Sequence, residues 1–365
     1  MRVVLEPRLS VPRWLRLAAP ALSIVLALLV GAVFLRVAGL DPLEVYAHIL
    51  RAGFLGRHAL SDTAVKATPI LLCGLGVALA FRARLWNIGA EGQLLMGAWA
   101  ATGVALYVLP ATTPAPLMLL AIGAAGFAAG ALWGGAAGAL RARLGVSEII
   151  TTLMLNYVAA LFISYFVFGP WSLGGFQLTA QLPQSAWLPR LADLAGRFSA
   201  LAGLTVHLGL LFGLVAAVAV AVALGRLPFG LDLKVVGDNP RAARAAGVAV
   251  ERTLTVAMLL SGGLCGLAGM SEIAGVVHRL QDRFSPGFGF TAIIVAWLAR
   301  LDPWGVILVS FLFGGLLVGG KEIQPAGIPQ LLQGIVLFVL VGTELLVHHR
   351  VRLERGPTPE AAHGE

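Results

Sequence analysis

Along most of this chain apolar residues run in uninterrupted blocks, each parted from the next by a short polar turn. The blocks show neither the two-residue alternation of a half-buried strand nor a single amphipathic stripe. A block of roughly 17 to 25 such residues is the length a helix needs to cross a bilayer. Backbone groups in lipid must pair within the segment, and runs this long and uniform do not fit the alternating strands of a membrane barrel. Crossings are predicted at residues 17–37, 63–81, 88–109, 117–140, 147–168, 206–224, 253–277, 288–300, 303–320 and 331–348. The expected fold is all-α: a polytopic helical membrane protein of about ten transmembrane helices, with one or two broken or re-entrant segments.

Three segments depart from the rule. The block at 288–300 is too short to cross by itself, and Asp302 and Pro303 cut it off from the next, which fits a re-entrant half-helix. Residues 41–60 mix charged and apolar positions at helical spacing, as an amphipathic helix on the outer surface would. Residues 169–205 hold Trp171, Trp187 and few charges, and form the largest external loop. The expected organisation is one transmembrane domain over 1–348, with a cytoplasmic loop at 225–252 and the external loop at 169–205. A disordered cytoplasmic tail at 349–365, with Pro357 and Pro359, follows it.

Composition narrows this picture. Of 365 residues, 58% are hydrophobic and 12% charged. A net charge of +8 would suggest nucleic acid in a soluble protein. Here the basic residues are scattered between blocks, so they report orientation and contact with anionic membrane lipid, and nucleic acid is not an expected partner. With both termini in the cytoplasm, about 17 of the 26 Lys and Arg residues fall inside, as the charge rule for short loops demands. Arg2, Arg8, Arg13 and Arg16 precede a first block too long for a signal sequence, so an uncleaved span is expected. Cys73 and Cys265 sit within apolar blocks and predict packing, not a disulfide framework.

Polar residues collect in a few places inside the apolar blocks. The run WNIGAEGQ, residues 86–93, follows a turn marked by Arg82 and Arg84. Asn87 can cap the next helix, and Glu91 falls in its first turn, where the helix dipole favours a carboxylate. That reading leaves Gly89, Gly92 and Gln93 unexplained. The alternative is a broken helix whose backbone and side chains line a polar route, since irregular backbone at membrane depth is tolerated only against protein or a water-filled cavity. A second interruption, RFSPGFGFTAIIVAWLARLDPWG at 283–305, lies about 200 residues later, and paired breaks in two halves point to a central pathway. An ordinary external turn explains it equally well.

Glu148, Thr152 and Asn156 are spaced i, i+4, i+8, on one helix face within about 80° of each other. A polar stripe facing lipid is costly, so it faces either a cavity or other helices to which it hydrogen-bonds. Ser261, Cys265, Ala268 and Glu272 share a face of a later block, where Gly262, Gly263, Gly266 and Gly269 predict close helix packing.

The longest cytoplasmic loop contains GDNPRAARAAGV. Asp238 or Asn239 caps, Pro240 fits the first helical position, RAARAA propagates and Gly247 stops, predicting a short, basic, isolated helix. It either lies on anionic headgroups or docks a cytoplasmic partner. There is no GxxxxGK[ST] phosphate loop, no HExxH, no nucleophile elbow and no Cys/His cluster. No catalytic residue, metal site or cofactor is therefore expected in this chain, and transport driven by ATP would need an ATPase on another chain.

Together NIGAEGQ, GVSEIITTLMLNY, GDNPRAARAAGV and SPGFGFTAIIVAWLAR followed by PWG resemble the permease subunits of ABC importers in the branched-chain amino acid and simple-sugar permease superfamily. The resemblance is greatest to permeases of nucleoside importers that use a basic-membrane-protein type lipoprotein receptor. It runs in order from about residue 40 to 348, and the first two motifs are the more specific. It implies a subunit of about ten helices in a bacterial cytoplasmic (inner) membrane, forming a pathway for nucleosides or related small polar solutes, with simple sugars as the alternative. The implied partners are an ATP-binding cassette ATPase, which uses the ATP and Mg, a second homologous permease in a heterodimer, and an external substrate-binding lipoprotein. The resemblance makes the 240–246 helix the coupling helix, carried by Gly237, Asn239, Ala242, Ala243, Ala246 and Gly247, with Asp238, Arg241 and Arg244 also expected to serve ATPase coupling. Asn87, Glu91, Gln93, Glu148, Thr152 and Asn156 match motif positions and are the pathway candidates. Trp86, Arg84 and Ser147 depart from the residues usual there, which weakens inference about substrate.

An ion-coupled secondary transporter is the reading from a different class, with Glu91 or Glu148 as proton sites. The capped helix after Asn239 discriminates, because a lone carrier has no need of it. An intramembrane enzyme lacks a converging acid, base and nucleophile.

Overall fold

The computed structural model describes residues 2–7, 13–324 and 327–354. Among these, each of the ten apolar blocks is helical. The order is α1 (Arg13–Val37), α2 (Pro42–Phe54), α3 (Arg57–Arg82), α4 (Ala90–Gly103), α5 (Ala115–Leu144), α6 (Glu148–Phe168) and α7 (Gly209–Gly225). It continues with α8 (Pro228–Asp238), α9 (Pro240–Ala245), α10 (Val250–Glu272), α11 (Phe288–Leu298), α12 (Pro303–Gly320) and α13 (Ile328–His348). Single π-helical turns extend α4 over Val104–Val108 and α10 over Ile273–Val277. The fold is that of an all-α polytopic membrane protein, and the exact count of ten crossings is not confirmed. Among the described residues, five helices are individually long and apolar enough to cross, and up to seven if the bent pairs α1–α2 (117°) and α7–α8 (68°) each count as one.

By contacts the chain divides into two units: the ends of the chain, up to Ala47 and from Glu322 onward, and His48–Lys321. In the first, α1 packs on α13 through Ala27, Ile335 and Val339, with a buried hydrogen bond between the Ser23 and Thr343 hydroxyls. Two strands, β1 (Arg2–Pro7) and β2 (His349–Glu354), pair antiparallel. Residues 349–354 of the segment expected to be a disordered tail are therefore a strand, and 355–365 lie outside the described residues.

In the second unit α3 is almost wholly buried, packed against α7, α10, α11 and α12, while α4 packs against α5, α6 and α10. α3 starts at Arg57, six residues before the expected crossing, because the polar positions that masked its first turns are paired: Ser61 accepts from the Thr205 amide at 2.8 Å, and Asp62 from the Thr205 hydroxyl at 2.6 Å. The α10 glycines do pack closely. A Cβ on Gly266 would collide with the Gly126 carbonyl, and one on Gly269 with that of Leu94, so backbone meets backbone. Cys73 and Cys265 are buried and free. α11 has 11 residues, or ~16 Å at ~1.5 Å per residue. That is about half a hydrocarbon core of ~30 Å.

Candidate functional site

The first break lies between α3 and α4. Arg84 turns the chain with φ 53°, and residues 85–89 are not helical. Gly89 stands at the N-cap of α4, so Asn87 is not the cap; its Oδ1 accepts from the Gly89 amide at 3.0 Å and holds the loop two residues earlier. The unpaired backbone of such a loop must find partners within the protein. The α6 stripe supplies them. Glu148 Oε1 accepts from the Trp86 amide at 3.4 Å, Thr152 Oγ1 from Ile88 at 3.3 Å, and Asn156 Oδ1 from Gly92 at 2.8 Å. Asn156 also donates to the Ile88 carbonyl at 2.8 Å. Three side chains one turn apart on α6 thus match amides of the broken loop and of the first turn of α4.

The remaining polar groups close on each other. Asn87 Nδ2 donates to Gln93 Oε1 at 3.0 Å and to Ser261 Oγ at 2.8 Å, while Gln93 Nε2 returns to Asn87 Oδ1 at 2.9 Å. Glu148 forms an ion pair with Arg141 at 3.2 Å. Asn87, Glu91, Gln93, Glu148, Thr152 and Asn156 are all buried, so the structure brings all six candidates together around one break.

Glu91 joins this break to the second. It stands in the first turn of α4, yet its Oε2 accepts from the Gly289 amide at 2.7 Å, in the first turn of α11. Two helix N-termini therefore share one carboxylate, the charge that both dipoles favour. The approach is close enough that a Cβ on Gly289 would collide with the Glu91 amide nitrogen. Backbone strain marks the same two breaks. Among the described residues, the non-glycine residues with positive φ are Arg84, His278, Arg283, Arg300 and Leu301, which flank the breaks. Where α3 ends, Arg82 donates to the Leu301 carbonyl at 3.2 Å.

The predicted basic helix is α9, one residue shorter than expected because Ala246 caps it. Asn239, not Asp238, is the cap: its Oδ1 accepts from the Arg241 and Ala242 amides at 3.0 and 3.1 Å. Gly247 ends it with φ 83°. Ala243 is buried with Val236 and Val250, whereas Arg241, Ala242 and Arg244 are exposed. α8, which leads directly into α9, rests on the first break. A Cβ on Gly237 would lie 2.6 Å from the Arg82 carbonyl, and Asp238 pairs with Arg84 at 3.6 Å.

Of a second polar cluster, the sequence names Glu272 and Trp187 without joining them, although Lys66, a lone lysine within an apolar block, could have announced it. Lys66 of α3 donates to Glu272 Oε1 at 2.8 Å and lies 5.4 Å from the centre of the Phe288 ring. Nearby, His207 Nδ1 accepts from the Gly209 amide at 3.1 Å, and its ring packs on Gly275. Arg190 donates to the Gly275 carbonyl and to His278 Nε2, both at 2.8 Å, and Trp187 stacks on His278 at 4.0 Å. Burial, then the charges of Arg190 and Lys66 and the neighbouring His278, hold His207 down to about 4. Burial and Arg190 do the same for His278, also to about 4. Both imidazoles are therefore neutral at pH 7. Among the described residues no group of three or more metal-binding side chains occurs.

A family model described as the permease component of branched-chain amino acid transport systems matches residues 59–341. The chain is 39% identical to the glucose ABC transporter permease protein TsgB13 of Haloferax volcanii, covering 95% of this chain and 93% of that one. It is 33% identical to the guanosine ABC transporter permease protein NupP of Bacillus subtilis, covering 91% and 93%. A second Bacillus subtilis guanosine permease, NupQ, is 28% identical over 69% and 78%.

Proposed function

This chain belongs to the permease-component family of branched-chain amino acid transport systems, and from that premise we propose that it forms the translocation pathway of an ABC importer for nucleosides or related hydroxyl-rich solutes. Its setting is the cytoplasmic membrane, with both termini inside. A separate cassette subunit hydrolyses ATP, an external lipoprotein delivers the solute, and a second, related permease completes the pathway. The existence of NupP and NupQ in one organism supports a heterodimer. A nucleoside is neutral and rich in hydrogen-bonding groups, which suits amides and hydroxyls along a route better than fixed charge.

The observation that carries this reading is the seat of the end of α8 on the first break, with α9 following one residue later and packed on α8. Gly237 and Asp238 touch Arg82 and Arg84, so a cassette that moves α9 also moves the strained turn from which residues 85–89 depart. That loop is tied through Glu91 to α11. On this account Asn87, Gln93, Glu148, Thr152 and Asn156 frame the moving part of the pathway, and alternating access follows when the two half-helices shift together. Arg241 and Arg244 are exposed and suit contact with the cassette. Replacing both with Glu is expected to lower transport-linked ATP hydrolysis at least severalfold in the reconstituted complex while leaving its melting temperature unchanged. Unchanged coupling would remove α9 from this role.

The 39% identity to TsgB13 favours a second reading, in which the solute is a hexose. Uptake of labelled guanosine and glucose by proteoliposomes holding the full complex separates the two. Uphill transport by the chain on an ion gradient, with no ATPase present, would overturn both.

A further inference from the structure

The six polar residues around the first break use their hydrogen-bonding groups on each other and on backbone. The cluster at the outer end of α10 does not. Glu272 is 1% exposed, and only one of its carboxylate oxygens is used, by Lys66; Oε2 has no partner among the described residues. His207 is 4% exposed, and its Nε2 likewise has none. Because His207 Nδ1 accepts from the Gly209 amide, the ring proton of the neutral imidazole sits on Nε2, which makes that atom an open donor. A buried carboxylate oxygen and a buried N–H left without partners each cost free energy, so a folded protein that keeps both has another use for them.

The location supplies that use. Lys66 keeps 32% of its side chain exposed on a helix that is otherwise almost wholly buried. Asp62, one turn before it, is exposed too, so the outer third of α3 has an open polar face that ends at Lys66. The Lys66 ammonium lies against the Phe288 ring, and Phe288 directly precedes Gly289, the residue bound by Glu91. Glu272 stands where α10 passes into its π-helical turn, a distortion that recurs at functional sites.

We propose that Lys66 and Glu272, with His207 beside them, bind the vicinal hydroxyls of the transported solute. A ribose or hexose diol offers two O–H donors and two acceptors. Glu272 Oε2 accepts from one hydroxyl, while the Lys66 ammonium and His207 Nε2 donate to the hydroxyl oxygens, with the Phe288 ring beneath. The diol is the chemistry common to nucleosides and sugars. Occupancy is felt at the α11 N-terminus, where the two half-helices join. This rests on the transport reading above and names the substrate feature that reading leaves open.

A buried ion pair can be removed as a pair. Replacing both partners with apolar residues of similar size is often neutral for stability or better. The test is therefore the double variant Lys66→Met/Glu272→Leu in the full complex in proteoliposomes, assayed with labelled guanosine, its 2′,3′-dideoxy analogue and glucose. The expected result is a melting temperature at or above that of the wild type, with the KM for the diol-bearing solute raised at least tenfold and that for the dideoxy analogue unchanged. Glu272→Gln, which retains one acceptor, is expected to fall between. If the double variant transports diol-bearing solutes with the wild-type KM, the pair only staples α3 to α10 and the proposal is wrong. A drop in melting temperature with unaltered KM overturns it as well. Should the double variant not assemble, Phe288→Leu decides: a diol KM equal to the wild type's overturns the proposal, and a selective rise supports it. If the wild-type complex carries none of the three solutes, it is the transport reading that fails.

Discussion

The two polar clusters inside the helical body differ in how completely they are satisfied. Around the first break, Glu148, Thr152 and Asn156 match backbone donors one for one, and Asn87, Gln93 and Ser261 close a loop of side-chain bonds. At the C-terminal end of α10, Glu272 Oε2 and His207 Nε2 have no partner among the described residues. Saturation is what a joint needs, because every unmet group would loosen it. Unspent capacity is what a site needs, because a ligand has to gain something on arrival. Polar residues at membrane depth are therefore not all evidence of a route; their remaining valence separates frame from site.

Three measurements sharpen this contrast, in descending order of effect. Gly289→Ala places a methyl against the Glu91 amide, where backbone meets backbone and no side chain can yield. It is expected to cost about 3 kcal/mol or more, at or beyond the usual range for overpacking, and to show as loss of monodisperse protein on size-exclusion. A stable, monodisperse variant would mean that the α4–α11 junction is loose. Asn156→Leu leaves the Gly92 amide and Ile88 carbonyl without partners. About 1–3 kcal/mol for each buried group should appear as a clear drop in melting temperature; no drop would show that water reaches the loop.

The third effect is one of pH. His207 has an ordinary value of 6.5 and is held to about 4 in the folded protein. Between those values the unfolded chain binds a proton that the folded chain does not, so stability falls as pH drops from 6.5 toward 4 and is fully retained above 6.5. His278 acts in the same direction. Melting temperatures between pH 7.5 and 4.5 should fall less steeply for His207→Gln than for the wild type, with the residual slope due to His278. Parallel curves would mean that His207 is already protonated in the fold.

Much of the fold is legible because long apolar blocks have one outcome in lipid. Each expected crossing is a helix, and the short block at 288–300 is short in the structure as well. The starts of helices are less legible. Ser61 and Asp62 fall outside the expected crossing at 63–81 because their partner, Thr205, is more than 140 residues away. Asn87 reads as a cap because capping is local, whereas its bonds to Ser261 and Gln93 are fixed by packing. The helical spacing of Glu148, Thr152 and Asn156 reveals a common face but not what it meets. Asn239 is legible throughout, since its cap, the proline after it and the glycine stop lie within nine residues. Lys66 is visible as a charge in an apolar block, but its value depends on Glu272, 206 residues on.

At Gly237 the chain presents bare main chain to the Arg82 carbonyl, with no side chain between them. Rotamers are the springs of a protein interior, and this contact has none to compress. A push on α8 would therefore arrive at the turn as displacement instead of being absorbed on the way, and even a single added methyl would act as a wedge between the two segments.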